Sequence, residues 1–224
     1  MNAAELTGRA RTHLVEVPEF GCALHADVRA PFDALRRAAL ADGFDLAPAS
    51  AFRDFERQLR IWNEKYRGER PLYDAAGALV DPAALSPGAR IDAILLWSAL
   101  PGASRHHWGT DLDLVDRRAM AAGHVPRLIP DEYADGGPFA DLRAWLERHA
   151  DRYGFFRPYR GRLSGVQAEP WHFSFAPVAE EARRRLGPGV LRDAIEAAPL
   201  EGRDTVLARL EELHARFVAS IDPF

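Results

Sequence analysis

At 224 residues, 47% hydrophobic and 10% aromatic, the chain carries enough apolar material for the core of one domain, which excludes a disordered protein. A formal net charge of −4, locally mixed rather than in blocks, gives no electrostatic reason to bind nucleic acid or an anionic membrane, and the single cysteine, Cys22, excludes an intramolecular disulfide framework. Nothing near Met1 resembles a secretory signal and no segment approaches the roughly 20 apolar residues of a membrane helix, so the chain as given reads as cytoplasmic, or periplasmic where a signal has been trimmed.

In chain order, residues 1–30 read as an N-terminal extension with a short strand at Leu14–Val17, stopped by Pro18. The spacing of Phe32, Leu35, Ala38 and Ala39 predicts a helix over 31–40 that opens on Pro31 and is ended by Gly43. Residues 44–48 read as a strand leading to Ser50. A second helix over 52–66 places Phe55, Leu59 and Trp62 on one stripe. Residues 68–100 form an insertion, first rich in Gly, Pro, Ala and Asp, then apolar from Ile94 to Leu100.

Residues 110–115 alternate polar and apolar, the period of a strand, with Asp111 and Asp113 on one face and Leu112 and Leu114 on the other. Leu142, Trp145, Leu146 and His149 mark a helix over 141–153 that Gly154 stops, and residues 171–175 alternate again. The tail over 178–217 reads as two amphipathic helices separated near Pro199. The expectation is an α+β fold, a small antiparallel sheet flanked by helices, over residues 31–177, with a C-terminal helical segment, 178–224, packed on it.

The chemistry is concentrated in Ser104-Arg-His-His-Trp-Gly-Thr-Asp-Leu-Asp113 and Glu169-Pro-Trp-His172. Together they supply imidazoles, carboxylates and a spare glutamate, the parts of a zinc site with three protein ligands and a position for water. His106 from a loop, Asp113 from the next strand and His172 from a distant strand are able to converge, with Gly109 permitting a sharp turn. Residue types alone leave open the choice between His106 and His107 and between Asp111 and Asp113.

These segments resemble a known family. Ser104-x-His106-x-x-Gly109-x-Asp111-x-Asp113 is similar to the first signature of zinc D-alanyl-D-alanine carboxypeptidases of the VanY type, in peptidase family M15. Glu169-Pro-Trp-His172 resembles their second signature, and Ser50-Ala-Phe-Arg53-Asp-Phe-Glu-Arg-Gln58 a third segment. The three occur in the family order over about residues 50–175.

The resemblance implies a hedgehog/DD-peptidase-like fold, one zinc ion on His106, Asp113 and His172, and a peptidoglycan stem peptide or muropeptide as substrate. It makes Glu169 the general base and Arg53 a catalytic or substrate-binding group, suited by its planar paired donors to a carboxylate or an oxyanion. His107 falls on a variable position. Asp111 stands where the family has alanine, which leaves three roles open: support of the metal site, contact with a substrate amine, or a solvated carboxylate.

Gln58, Ser104, Trp108 and Asp111 are the further substrate-contact candidates, Trp108 because it sits in the motif loop. Trp171 is read as core first and site wall second. Glu169 and His172, three residues apart, would face opposite sides of a regular strand, so a bend at Pro170 is required. Ser98 and Ser164 have no nucleophile context.

The reaction expected is removal of a terminal D-alanine, as a D,D- or an L,D-carboxypeptidase. An endopeptidase of the endolysin type and a non-catalytic metal-binding module are the rivals.

Overall fold

The computed structural model describes every residue except Ala122 and Ser164, so the reading of Ser164 lies outside the described residues. The chain opens with a single helical turn, α1 (Ala3–Leu6), and a hairpin of β1 (Leu14–Val17) and β2 (Cys22–His25), paired antiparallel. Helix α2 (Ala26–Ala41) follows at once. It begins five residues before the expected start, because the His25 ring accepts the Asp27 N–H as a cap and Val28 extends the buried stripe of Phe32, Leu35 and Ala39. Pro31 therefore lies inside the helix, in its second turn.

Strand β3 (Leu46–Ser50) leads to α3 (Phe55–Arg67). Asp54 caps α3 through the Arg57 N–H, and Gly68 ends it at φ +81. The insertion forms a small hairpin, β4 (Leu72–Tyr73) with β5 (Leu79–Val80), and then α4 (Pro87–Leu95). After a 3-10 turn at Arg105–Trp108 comes β6 (Asp111–Asp116), followed by α5 (Arg117–Ala121), α6 (Pro130–Tyr133) and α7 (Ala140–His149). Next are β7 (Phe155–Phe156) and β8 (His172–Phe175).

The main sheet has the order β3-β6-β8-β7, all antiparallel, in agreement with the α+β expectation. Leu112 and Leu114 of β6 and Phe173 and Phe175 of β8 pack with α2 and α7 in one core cluster. The opposite faces of the same strands carry Asp111, Asp113, His172 and Ser174, and these too are buried, because a second, helical core covers them. The site thus sits at the seam between these two cores, with a third, smaller cluster of Ala47, Val115, Tyr133, Phe139 and Trp171 beside it.

The tail divides further than expected, into α8 (Ala176–Arg185), α9 (Pro188–Glu196), α10 (Arg203–Ala208), α11 (Leu210–His214) and a π turn at Ala215–Ala219. Besides the break near Pro199, Gly187 separates α8 from α9 and Arg209 joins α10 to α11. Leu191, Ile195, Leu210 and Phe217 from this tail share a core with Phe55, Trp62 and Ile91. Residues 1–30 are also integral: Leu6 enters that core, while Val17, Leu24 and Val28 enter the other.

Candidate active site

Antiparallel register sets Asp113 directly opposite His172, and Asp111 opposite Ser174. Opposed side chains on one face of such a pair stand about 5 Å apart at Cβ, so two potential ligands meet without loop geometry. His106 arrives from the 3-10 turn before β6. One donor atom from each of His106, Asp113 and His172 lies within 4.8 Å of the others, and all three residues are buried.

Each imidazole is oriented by its other nitrogen. His106 Nδ1–H donates to the Ala51 carbonyl at 2.8 Å, which turns Nε2 toward Asp113 Oδ2, 3.5 Å away. His172 Nε2–H donates to Asp111 Oδ1 at 2.9 Å, which turns Nδ1 toward Asp113 Oδ1 at 3.4 Å and Glu169 Oε2 at 3.1 Å. This is the tautomer control that metal-binding histidines need. Asp113 Oδ1 is buried without a hydrogen-bond partner, 3.4 Å from His172 Nδ1, and an orphaned carboxylate oxygen in a cluster with two imidazoles fits a cation.

The electrostatics agree. Burial disfavours the Asp113 carboxylate, but His106 and His172 outweigh it and hold Asp113 well below the ordinary carboxylate range. Burial likewise disfavours a charged His172, and the facing carboxylates of Asp111, Asp113 and Glu169 overcome it, raising its pKa well above the ordinary value. The pocket is built to hold positive charge.

Glu169 reaches the cluster as the required bend implies. Residues 170–171 form a turn, with the His172 N–H donating to the Glu169 carbonyl at 3.3 Å. Arg53 lines the same cavity as Glu169 and the three cluster residues. Its Nη1 donates to Gln58 Oε1 at 2.7 Å, and Gln58 Nε2 donates to the Ala99 carbonyl at 2.7 Å. Gln58 is therefore fully buried beneath Arg53 and positions it, rather than standing in the cavity as a substrate contact. Ser104 is 1% exposed and lines the cavity.

Two further expectations are corrected. Trp108 does not line the cleft. It is 0% exposed, its indole N–H donates to the Leu6 carbonyl at 3.1 Å, and the N-terminal segment covers the loop that carries it. Asp111 does not face substrate either. It is 0% exposed and accepts from Arg105 Nε at 2.8 Å, from Thr110 and Ser174 hydroxyls, and from His172. Of the three roles left open, the geometry leaves support of His172. Trp171 both packs against Tyr133 and forms part of the cavity wall.

His107 faces away from the cluster. Its Nδ1–H donates to the Arg53 carbonyl at 2.6 Å and its Nε2 accepts the Gly102 N–H at 3.1 Å, so it is a neutral strut, its pKa pushed down to about 3 by burial.

Three groups carried no sequence signal. Arg105 is 4% exposed and neutralises Asp111 while stacking over Trp108; a charge at a variable motif position reads as solvated until its burial is seen. Tyr159 lies edge-on to His172, 5.0 Å between ring centroids, with its phenol pushed up to about 12 by burial. Lys65, half-buried on α3, is drawn down to about 8 by burial and lines an outer groove. That groove, about 1,140 Å³, adjoins the inner cavity of about 200 Å³.

The family model described as VanY, D-alanyl-D-alanine carboxypeptidase, matches residues 21–178. The chain belongs to this family of zinc-dependent peptidases. A Haemophilus influenzae protein described as uncharacterized is 33% identical over 121 residues, 53% of this chain and 92% of that protein. A D-alanyl-D-alanine carboxypeptidase of Enterococcus faecalis is 29% identical over 150 residues, 66% of this chain but 44% of the relative.

Among solved structures, VanYB in complex with D-alanine-D-alanine superposes with TM-score 0.52 at 25% identity, covering 82% of this chain and 88% of that one. A VanY D,D-pentapeptidase variant in complex with Zn(II) gives 0.53 at 25% identity, covering 78% and 85%. Among the described residues, no helix is long and apolar enough to cross a membrane.

Proposed function

We propose that the protein is a zinc carboxypeptidase that removes the terminal D-alanine from peptidoglycan stem peptides. The observation that carries this reading is the convergence of His106 Nε2, Asp113 and His172 Nδ1 beside Glu169, with Asp113 Oδ1 otherwise unpartnered. Those three residues would hold the ion. Zinc bound there supplies Lewis acidity, polarising the scissile carbonyl and making water a better acid.

Glu169 stands 3.1 Å from the His172 ring nitrogen that faces the cluster, within reach of a water attacking at that point. Its carboxylate takes the water proton and returns it to the departing amine, so one residue acts as base and then as acid. Arg53, held by Gln58, presents its guanidinium to the same cavity and offsets negative charge on the substrate carboxylate or the tetrahedral oxygen. Asp111 and Arg105 stay out of the chemistry and fix His172.

The test is release of D-alanine from synthetic stem tetra- and pentapeptides by zinc-loaded protein, beside intact sacculi. Release from the tetrapeptide defines an L,D- and from the pentapeptide a D,D-carboxypeptidase. Cleavage of sacculi with no D-alanine released would replace this reading with an endopeptidase.

A further inference from the structure

The inner cavity and the outer groove share Trp97, Leu128, Glu169 and Trp171, which mark the mouth between them. Part of the lining that the groove does not share comes from the end of the chain: Leu213, Phe217 and Val218. These lie beyond residue 178, where the family match stops. They are 1%, 5% and 9% exposed, so they form a packed wall rather than a loose flap.

The wall is anchored on the loop before β8 and on α8. The Asp222 N–H donates to the Pro158 carbonyl at 2.9 Å, and Asp222 Oδ2 accepts the Arg160 N–H at 2.6 Å. The Gly165 N–H donates to the Arg216 carbonyl at 3.1 Å, and Arg183 Nη1 to the Ala219 carbonyl at 3.1 Å. Gly165 has no room for a side chain, because a Cβ there would stand 2.7 Å from the Arg216 oxygen. The π turn at Ala215–Ala219 adds a residue to the helical turn where Phe217 and Val218 meet the cavity, a device that re-aims side chains.

We infer that this C-terminal segment is the inner wall of the leaving-residue pocket and restricts that residue to a small side chain. The inference rests on the carboxypeptidase reading. A peptide entering along the groove passes the mouth at Glu169, and its last residue comes to lie against Leu213, Phe217 and Val218. The inner cavity, about 200 Å³, is smaller than the roughly 300–1,000 Å³ of pockets for drug-sized ligands, and its wall is apolar, which suits a methyl group. A branched side chain would have to displace a close-packed ring.

The experiment uses full-length zinc-loaded protein and three stem peptides identical except for a terminal glycine, D-alanine or D-leucine. The native protein should release D-alanine with kcat/KM at least about 10-fold above D-leucine, the scale of a hydrophobic-pocket size limit. Phe217→Ala should raise the D-leucine to D-alanine ratio about 10-fold, and Val218→Phe should lower the D-alanine to glycine ratio. Ratios within one protein cancel a general loss of folded enzyme, and zinc content with circular dichroism is read for each variant.

Unchanged ratios in both variants, folded and zinc-loaded, would overturn the inference and leave the carboxypeptidase standing. Release from none of the three peptides by native protein would overturn both.

Discussion

Asp111 is a residue whose charge never meets solvent, yet it decides which nitrogen of His172 faces the cluster. Asp111→Asn should keep the fold and weaken zinc binding about 10- to 100-fold, read by competition with a chelator. Unchanged affinity would mean that β8 alone orients the ring. Gln58 makes a separable case. Gln58→Leu removes the acceptor for Arg53 Nη1, so kcat/KM should fall roughly 10- to 100-fold while zinc affinity holds. Equal loss of zinc would show that the residue acts on the cluster instead.

At this scale the two motif segments are legible as a cluster of imidazoles and carboxylates, while the preference for His106 over His107 and for Asp113 over Asp111 comes from the family resemblance and not from spacing. Arg105 and Tyr159 are not legible, and the choice among the three roles open to Asp111 is not either, since burial and pairing across the sheet are tertiary facts. Trp108 departs from its expected place in the cleft for the same reason: what covers its loop is Leu6, about a hundred residues earlier in the chain.

At the scale of elements, the turn into β6 holds the site together. Gly109 sits at φ +67, and a Cβ there would approach Leu14 Cδ2 at 2.5 Å and the His25 nitrogen at 2.6 Å. Gly109→Ala should therefore cost about 2–5 kcal/mol, from left-handed strain plus overpacking, as measured by urea unfolding. A cost below about 1 kcal/mol would show that the β1–β2 hairpin yields easily.

The same hairpin region carries a pH dependence. Burial lowers the pKa of His13 below its ordinary 6.5, more than its contacts with the His107 carbonyl and Glu5 restore. The folded state then binds fewer protons than the unfolded chain, so stability present above pH 6.5 is lost as pH falls through the folded value. Between about pH 7.5 and about pH 5.5, His13→Gln should lose less stability than native protein in parallel urea titrations. Equal losses would remove His13 from the account.

Elements with strong periodicity, α3, α7, β6 and β8, are where the sequence reading and the structure meet. They part at α2, where a histidine cap outweighs the start signal of Pro31, and in the tail. There short helices share one apolar stripe, and periodicity alone does not reveal the breaks at Gly187 and Arg209.

For the whole molecule, the site is a seam. One core is laid down by the sheet with α2 and α7, the other by α3, α4 and the C-terminal helices, and the polar faces of β6 and β8 are closed between them. That explains why a buried set of charges is tolerated: the Asp111 and Asp113 carboxylates have cationic or imidazole partners, and the Asp113 oxygen without a hydrogen bond belongs to the cluster that could hold a metal ion. It also explains why residues outside the motifs, from Leu6 to Phe217, belong to the active site's architecture.

The most direct test compares native protein and Glu169→Ala for bound zinc and D-alanine release in the same preparations. The account predicts one zinc ion in each and a rate lower by about 10²–10⁴-fold in the variant, the range for loss of a general acid–base group. A variant that binds zinc and releases D-alanine at the native rate would contradict it.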